Sequence, residues 1–245
     1  MHEPPLIWLE ADDEFPPVDQ AWGSDTPMPG LLAAGGTLDA AHLRMAYQHG
    51  IFPWFSPGQP NLWWSPDPRM VLKTEAFRLH PSLRKTLRKF MRMPGYEVRI
   101  DSCFRQVMQH CASTPRAGQN GTWIVPGIID AYCELHAQGL AHSVETWVQG
   151  QLVGGLYCVA LGQAVYGESM FAHATDASKV ALAALVALGR HHGATQIDCQ
   201  QATAHLASLG AREVPRADFL AEAAIQQQRP AMDWNFHPLY WDSLC

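Results

Sequence analysis

A carboxylate and an amide stand two residues apart where a predicted strand ends. Residues 195–200 form a short run that closes on Asp198, Cys199 and Gln200. Polar groups at the carboxyl end of a buried strand are costly unless they are paired or used. Because side chains alternate along a strand, Asp198 and Gln200 should share one face, and Cys199 should point into the core, where a thiol is inert. The pair would either orient an amine and polarise a carbonyl, or cap a neighbouring loop.

A second carboxylate lies in apolar surroundings. Glu168 stands among Tyr166, Met170 and Phe171, after a predicted antiparallel meander and before a long predicted helix. An acid in such surroundings either binds a cation, such as an α-ammonium group, or orders the turn through an ion pair. The residues around it do not form a Gly-x-Ser-x-Gly nucleophile elbow.

The signatures of several other chemistries are missing from the sequence. It contains no His-Glu-x-x-His or Cys-x-x-Cys spacing and no glycine-rich phosphate loop, so we expect neither a metal nor a cofactor. Six scattered cysteines without a secretion signal favour a reducing cytoplasm. The longest apolar runs fall short of 18 residues, so we expect no membrane span.

Positive charge is concentrated in one segment of an acidic chain. The 245 residues carry a formal net charge of −6, yet residues 78–99 hold seven basic residues and one acid, a local charge of +6. Like charges four residues apart disfavour the helix predicted at 81–93 unless an anion offsets them. This helix is either a solvated face or a phosphate contact, and we favour a phosphate contact through Arg84, Lys85, Arg88, Lys89 and Arg92.

Residues 52–64 are unusually rich in large aromatic side chains. Three prolines interrupt the five rings, and because proline removes a backbone donor, we expect a rigid, irregular loop. The rings would either stack a flat ligand or form a hydrophobic plug between domains. The five rings are Phe52, Trp54, Phe55, Trp63 and Trp64.

The predicted elements give an α+β fold. Strands at 141–148, 152–161 and 164–166 form a meander, which is followed by a helix at 176–192 and a central strand at 195–200. Residues 114–122 read as a loop rich in glycine and proline. A boundary near residue 70 divides a small N-terminal domain, residues 1–70, from a catalytic domain, residues 71–245.

Seven segments, in this order, resemble the leucyl/phenylalanyl-tRNA–protein transferase family, and together they cover roughly residues 29–220. They are GIFPWFSPGQPNLWWSPDPRMVL, GTWIVPGIIDAYCELHAQGLAHSVETW, LVGGLYCVA, GESMF, ASKVAL, IDCQ and ASLGAREVPR. The resemblance implies a bacterial cytoplasmic enzyme that moves Leu or Phe, and possibly Met, from aminoacyl-tRNA to the N-terminal Arg or Lys of a protein. That modification would mark the protein for N-degron degradation. The resemblance also implies a catalytic domain with the fold of GCN5-related N-acetyltransferases.

The same resemblance implies roles for individual residues. Trp54 and Trp123 would hold the 3′-terminal adenosine, and Glu168 would lie at the aminoacyl site. Asp198 and Gln200 would be the catalytic pair. The rest of the aminoacyl pocket would consist of Leu156, Val165, Met170, Leu185 and Ile197.

An aminoacyl ester is already activated, so the reaction needs no metal or ATP but must hold a neutral amine close to the ester carbonyl. Asp198 would accept a proton from the amine, orient the amine, or bind the Arg or Lys side chain. Gln200 would fix Asp198 or donate to the developing oxyanion.

Two other functions fit parts of the sequence. An acyl-CoA-dependent small-molecule N-acyltransferase should carry a pyrophosphate-binding loop before its long helix, where this chain has ASKVAL instead. A non-catalytic RNA-binding protein would use the basic helix and the aromatic rings but would leave Asp198 and Gln200 without a purpose.

Overall fold

A computed structural model describes residues 4–11, 13–114 and 122–244. The N-terminal part forms a four-stranded sheet in the order β1-β2-β4-β3. Its elements are β1 (Ile7–Leu9), β2 (Leu31–Gly35), helix α1 (Ala40–Gln48), β3 (Phe52–Pro53) and β4 (Leu62–Trp64). The glycine- and proline-rich loop predicted at 114–122 lies almost entirely outside the described residues.

The following residues form a seven-stranded sheet in the order β11-β5-β10-β9-β8-β7-β6. Its strands are β5 (Arg69–Lys73), β6 (Tyr96–Ile100), β7 (Ala141–Val148), β8 (Gln151–Leu161), β9 (Ala164–Ala172), β10 (Gln196–Gln200) and β11 (Arg212–Val214). Its helices are α2 (Pro81–Phe90), α3 (Phe104–Ser113), α4 (Pro126–Ala137), α5 (Ala177–His192), α6 (Ala204–Ser208) and α7 (Arg216–Gln227). The predicted α+β class is confirmed.

The larger sheet is buried on both faces. Along β8, Leu156 and Cys158 pack with α2 and α5, whereas Tyr157 and Val159 pack with α1, α3, α4 and the small sheet. This alternation follows from the two-residue period of a strand. The sheet is therefore the middle layer of the molecule, and a gap in it connects the two faces.

That gap lies between β9 and β10, the parallel pair. The two strands pair at Val165 with Ile197 and at Tyr166 with Asp198, and β9 then continues to Ala172 paired with β8 but no longer with β10. A bulge between Asp198 and Gln200 interrupts the pairing of β10 with β5. Bulges bend a strand and redirect its side chains, so the end of β10 turns away from β9.

Two expectations about these elements were wrong. The aromatic segment is not wholly irregular, because Phe52 pairs with Trp64 and Pro53 with Trp63 in a short hairpin. The hairpin tolerates its proline because β3 is the edge strand of its sheet. Glu168 lies within β9, which is six residues longer than predicted, rather than in a turn after the meander.

Candidate active site

A cleft of about 490 Å³ occupies the gap between β9 and β10. Its apolar wall combines side chains from β8, β9, α5 and β10, which are Leu156, Met170, Leu182, Leu185 and Ile197. Trp54 and Trp123 lie at another part of the lining, and both are partly exposed. Glu168 and Gln200 place a carboxylate and an amide on the same cleft. An apolar cavity with a few converging polar groups is the usual form of a ligand site.

Three donors converge on the carboxylate of Glu168. Its Oε1 accepts hydrogen bonds from the Tyr47 hydroxyl at 2.7 Å and from Gln200 Nε2 at 2.8 Å. Its Oε2 accepts from the Tyr132 hydroxyl at 3.2 Å, and the two tyrosine hydroxyls also contact each other. These contacts join α1, α4, β9 and β10 at one point, which fixes the position of Glu168 in the cleft.

Burial sets the protonation behaviour of this group. Desolvation raises the pKa of Glu168 to about 8, although hydrogen bonds from Tyr47 and Tyr132 act in the opposite direction. Burial also raises the pKa of both tyrosines well above their usual value, so they remain protonated donors. A carboxyl group with a pKa in this range can gain or lose a proton near neutral pH.

Asp198 lies behind the cleft and is fully buried. Its two carboxylate oxygens accept hydrogen bonds from Arg69, Oδ1 from Nε at 2.8 Å and Oδ2 from Nη2 at 2.6 Å. The guanidinium group of Arg69 also donates to the Gly50 carbonyl and lies between the rings of Phe52 and Phe219. Asp198 is thus held in a desolvated bidentate ion pair.

Asp198 in turn fixes the backbone of Gln200. Its Oδ1 accepts from the backbone N–H of Gln200 at 2.9 Å, and Gln200 adopts a left-handed φ of 62°. A residue other than glycine rarely takes this conformation, which persists only where surrounding contacts impose it. The conformation directs the Gln200 side chain toward Glu168.

The expected direction of Cys199 was wrong. Because of the bulge, Cys199 and Gln200 both line the cleft, whereas Asp198 does not. Strict alternation along the strand fails at this point. Burial raises the pKa of the Cys199 thiol to about 12, so the thiol stays protonated and is a poor nucleophile.

The structure brings together eight of the ten residues predicted for the catalytic, aminoacyl and adenosine sites. The eight that line the cleft are Trp54, Trp123, Leu156, Glu168, Met170, Leu185, Ile197 and Gln200. Val165 packs in the core beside Ile197, and Asp198 pairs with Arg69. The functional roles of all ten remain predictions.

Sequence reasoning missed several residues of the site, among them Arg69, Tyr47, Tyr132 and Leu182. Tyr47 and Tyr132 occupy buried positions of α1 and α4, where a hydroxyl needs a partner, and this requirement was the available signal. Leu182 precedes Leu185 by one helical turn, so the two share a face of α5. The sequence holds no comparable signal for Arg69, whose partner is 129 residues away.

The basic helix α2 has two distinct faces. Leu83, Leu87 and Phe90 are buried, and Pro81 occupies the first turn as predicted. The predicted phosphate contacts Arg84, Lys85, Arg88, Lys89 and Arg92 are all exposed. In the part of the chain that the structure describes, none of these five lies within 4.0 Å of a carboxylate oxygen.

Most of the aromatic rings at 52–64 are structural. Phe52, Phe55, Trp63 and Trp64 are buried, and Trp54 is the partly exposed ring of the five. Trp64 Nε1 donates to the Trp54 carbonyl at 2.6 Å, which fixes the backbone that presents the Trp54 ring. The segment thus contains both a packed wall and a partly exposed ring, Trp54, and the buried Phe52 lines the cleft beside it.

Residues 4–11, 13–114 and 122–244 contain neither a metal-binding cluster nor a helix suited to span a membrane. They hold no group of three or more His, Cys, Asp or Glu side chains arranged to bind a metal ion. Over the same residues, no helix combines the length and the apolar character that crossing a membrane requires.

A sheet gap that holds an apolar cavity, with a buried carboxylate network at its base, defines the protein as an enzyme of mixed α and β structure. The chain belongs to the leucyl/phenylalanyl-tRNA–protein transferase family, and it is therefore an aminoacyltransferase. The family profile for leucyl/phenylalanyl-tRNA protein transferase matches residues 71–224, and the profile for the N-terminal domain of the same family matches residues 36–67.

Relatives that bear the family name align along almost the whole chain. The protein from Albidiferax ferrireducens is 60% identical over 241 residues, which cover 98% of this chain and 95% of the relative. The protein from a Polaromonas species is 60% identical over 240 residues, with coverages of 98% and 94%. A solved GCN5-related N-acetyltransferase from Kribbella flavida aligns over 69% of this chain and 59% of the acetyltransferase chain, at 10% identity and with a TM-score of 0.32.

The ion pair between Arg69 and Asp198 predicts that removing one charge destabilises the protein more than removing both. Arg69→Met leaves Asp198 buried without a counter-charge, so we expect the free energy of unfolding to fall by about 3–5 kcal/mol. The double variant Arg69→Met/Asp198→Asn removes both charges and should recover a large part of that loss. Urea denaturation of the three proteins measures the difference. Equal losses in the single and double variants would contradict the ion-pair account.

Proposed function

We propose that the enzyme transfers Leu or Phe, and possibly Met, from aminoacyl-tRNA to the N-terminal Arg or Lys of acceptor proteins. The product carries a new peptide bond, and the modification marks the protein for N-degron degradation. The observation that carries the proposal is the arrangement of the cleft, in which apolar, aromatic and carboxylate surfaces adjoin one another. The family to which the chain belongs supports the donor and the reaction type.

Each surface of the cleft suits one part of the two substrates. The wall formed by Leu156, Met170, Leu185 and its neighbours suits an apolar aminoacyl side chain, since burial of apolar area is favourable. The rings of Trp54 and Trp123 offer stacking faces to the terminal adenine. The carboxylate of Glu168 suits the cationic amine of the acceptor.

In the proposed mechanism, Glu168 receives the acceptor amine. Its pKa of about 8 matches that of an α-amino group, so a proton passes from the ammonium group to the carboxylate at little cost. The neutral amine nitrogen then bonds to the ester carbonyl carbon and the ester C–O bond breaks. The second proton of the amine leaves with the ribose hydroxyl, and Glu168 later releases its proton to solvent.

Asp198 and Gln200 contribute to this mechanism by position. Arg69 occupies the carboxylate of Asp198, and Asp198 does not line the cleft. We therefore assign Asp198 none of the three direct contacts with the acceptor considered from the sequence, and give it instead the role of positioning Gln200. Asp198 holds the backbone N–H of Gln200, and the Gln200 amide holds Glu168. When substrate binds, the same amide is placed to donate to the oxyanion that develops on the ester carbonyl.

The proposal includes a domain division and a cellular site. We propose a small N-terminal domain over residues 1–70 and a catalytic domain over residues 71–245. The two sheets divide between Trp64 and Arg69, which supports a division near residue 70, and Arg69 and Met70 already belong to β5 of the larger sheet. Five free cysteines among the described residues are consistent with the reducing cytoplasm, where aminoacyl-tRNA is made.

One assay tests the overall reaction. The protein is incubated with radiolabelled leucyl-tRNA and a peptide that begins with Arg, and the expected result is label on the peptide. The matched control is the same peptide with an acetylated N-terminus, which should remain unlabelled. Binding of the tRNA without transfer would support a non-catalytic RNA-binding protein, and transfer from acyl-CoA alone would support a small-molecule acyltransferase.

The role of Glu168 predicts a distinctive pH profile. Since one proton is shared between the carboxylate and the amine, kcat/KM for the peptide should pass through a maximum near pH 8 and fall on both sides. Glu168→Gln should lower kcat/KM at pH 8 by about 100-fold and replace the maximum with a plateau at high pH. Initial rates between pH 6 and pH 9.5 measure both profiles. Glu134→Gln, at an exposed carboxylate of α4, is the matched control, and a maximum that survives in Glu168→Gln rules out this role.

The exposed cations of α2 predict a change in salt dependence. Replacement of Lys85, Arg88 and Lys89 by Gln should weaken tRNA binding and reduce the slope of log Kobs against log salt by about one for each phosphate that is no longer neutralised. Filter binding at several salt concentrations measures the slope. The control variant replaces exposed Arg44, Lys73 and Arg212 by Gln, which removes the same charge elsewhere. An unchanged slope in the α2 variant would identify α2 as a solvated face.

A further inference from the structure

A second cavity of about 300 Å³ adjoins the cleft. Trp54 and Trp123 contribute to the lining of both cavities, so the two spaces share these side chains. The hairpin that carries Trp54 also supplies Phe55, Ser56, Gln59 and Trp64 to the second cavity. The mechanism proposed above uses the cleft and leaves this adjoining space without an occupant.

The lining of the second cavity selects for a flat, uncharged ligand. Its described lining consists of aromatic, aliphatic and neutral polar side chains, with no Asp, Glu, Lys or Arg among them. An acceptor residue such as Arg or Lys would need a carboxylate here, as it would find at Glu168 in the cleft. Indole and phenyl faces suit a nucleobase, because every base has a face that can stack.

One polar group at the mouth of the cavity can recognise such a base. Gln59 is exposed, and its Oε1 accepts a hydrogen bond from the backbone N–H of Ser56 at 2.7 Å. This bond engages the amide oxygen, so the amide nitrogen can offer its two N–H donors to a ligand. A carbonyl on the edge of a pyrimidine base is an acceptor of the required kind.

We infer that the second cavity binds the base of the nucleotide that precedes the terminal adenosine of the donor. The inference rests on the proposed function, which places that adenosine beside Trp54 and Trp123. A phosphodiester links neighbouring riboses, so the next base can reach only a space that adjoins the first. The second cavity meets that condition because it shares two side chains with the cleft. In every tRNA the nucleotide concerned is a cytidine, which carries such a carbonyl.

Three small donors test the inference without the rest of the tRNA. They are leucyl-adenosine, the leucyl ester of cytidylyl-adenosine, and the same dinucleotide with an abasic ribose in place of cytidine. We expect the cytidine donor to exceed the abasic donor in kcat/KM by about fivefold or more, mainly through KM, because a stacked base adds binding energy without taking part in the chemistry. The measured quantity is this ratio.

Two variants test whether the second cavity causes the difference in kcat/KM between the cytidine and abasic donors. Ser56→Phe places a ring in the space and should reduce the ratio to about one, and Gln59→Ala removes the amide and should reduce it in part. Leucyl-adenosine transfer by each variant reports whether it is folded and active. The matched control is Ser24→Phe, because Ser24 is exposed and does not contribute to either cavity, and its ratio should equal that of the unaltered protein.

The possible results distinguish failure of the second-cavity inference from failure of the proposed transfer reaction. Equal rates with the cytidine and abasic donors in the unaltered protein would overturn the inference and leave the proposed function standing. A ratio that stays at its full value in both Ser56→Phe and Gln59→Ala would show that the base binds elsewhere, and would also overturn it. Transfer from leucyl-tRNA but not from the cytidine donor would overturn the inference and leave the proposed function standing. No transfer from leucyl-tRNA, assayed beside the three donors, would refute the proposed function, and the inference would fail with it.

Discussion

The ion pair between Arg69 and Asp198 joins the start of the larger sheet to the strand that ends at the cleft. Both side chains are fully buried, so neither can be solvated in the absence of the other. Arg69 also binds the carbonyl of Gly50, just before the aromatic hairpin, and lies between rings of Phe52 and Phe219. One desolvated guanidinium group therefore fixes the positions of the small sheet, the central strand and α7 relative to one another.

The geometry of the cleft follows from this constraint. Asp198 is oriented by Arg69, accepts the backbone N–H of Gln200, and so stabilises a left-handed residue at the end of β10. The bulge there opens the sheet beside β9 and turns the Gln200 amide toward Glu168. A chain of polar contacts thus runs from the core of the molecule to a carboxylate in the cleft, and each member holds the next in place.

Positive and negative groups are separated in the molecule, and the proposed function would use both. The cations of α2 are exposed and unopposed in the described residues, whereas the carboxylate of Glu168 lies within an apolar cleft. A polyanion is attracted by exposed cations over long distances, while a single amine needs a desolvated partner at short range. The net charge of −6 conceals this separation, because most of the acids lie outside the segment around α2.

The sequence by itself determined the α+β class, the exposed basic face of α2, and eight of the residues that line the cleft. These features depend on local periodicity and composition, or on long motifs shared with a family. Only the tertiary structure decided that Asp198 turns away from the cleft while Cys199 turns into it, and that Arg69, Tyr47 and Tyr132 complete the polar network. A bulge breaks the alternation on which strand reasoning rests, and partners as far apart as residues 69 and 198 meet only when the chain folds.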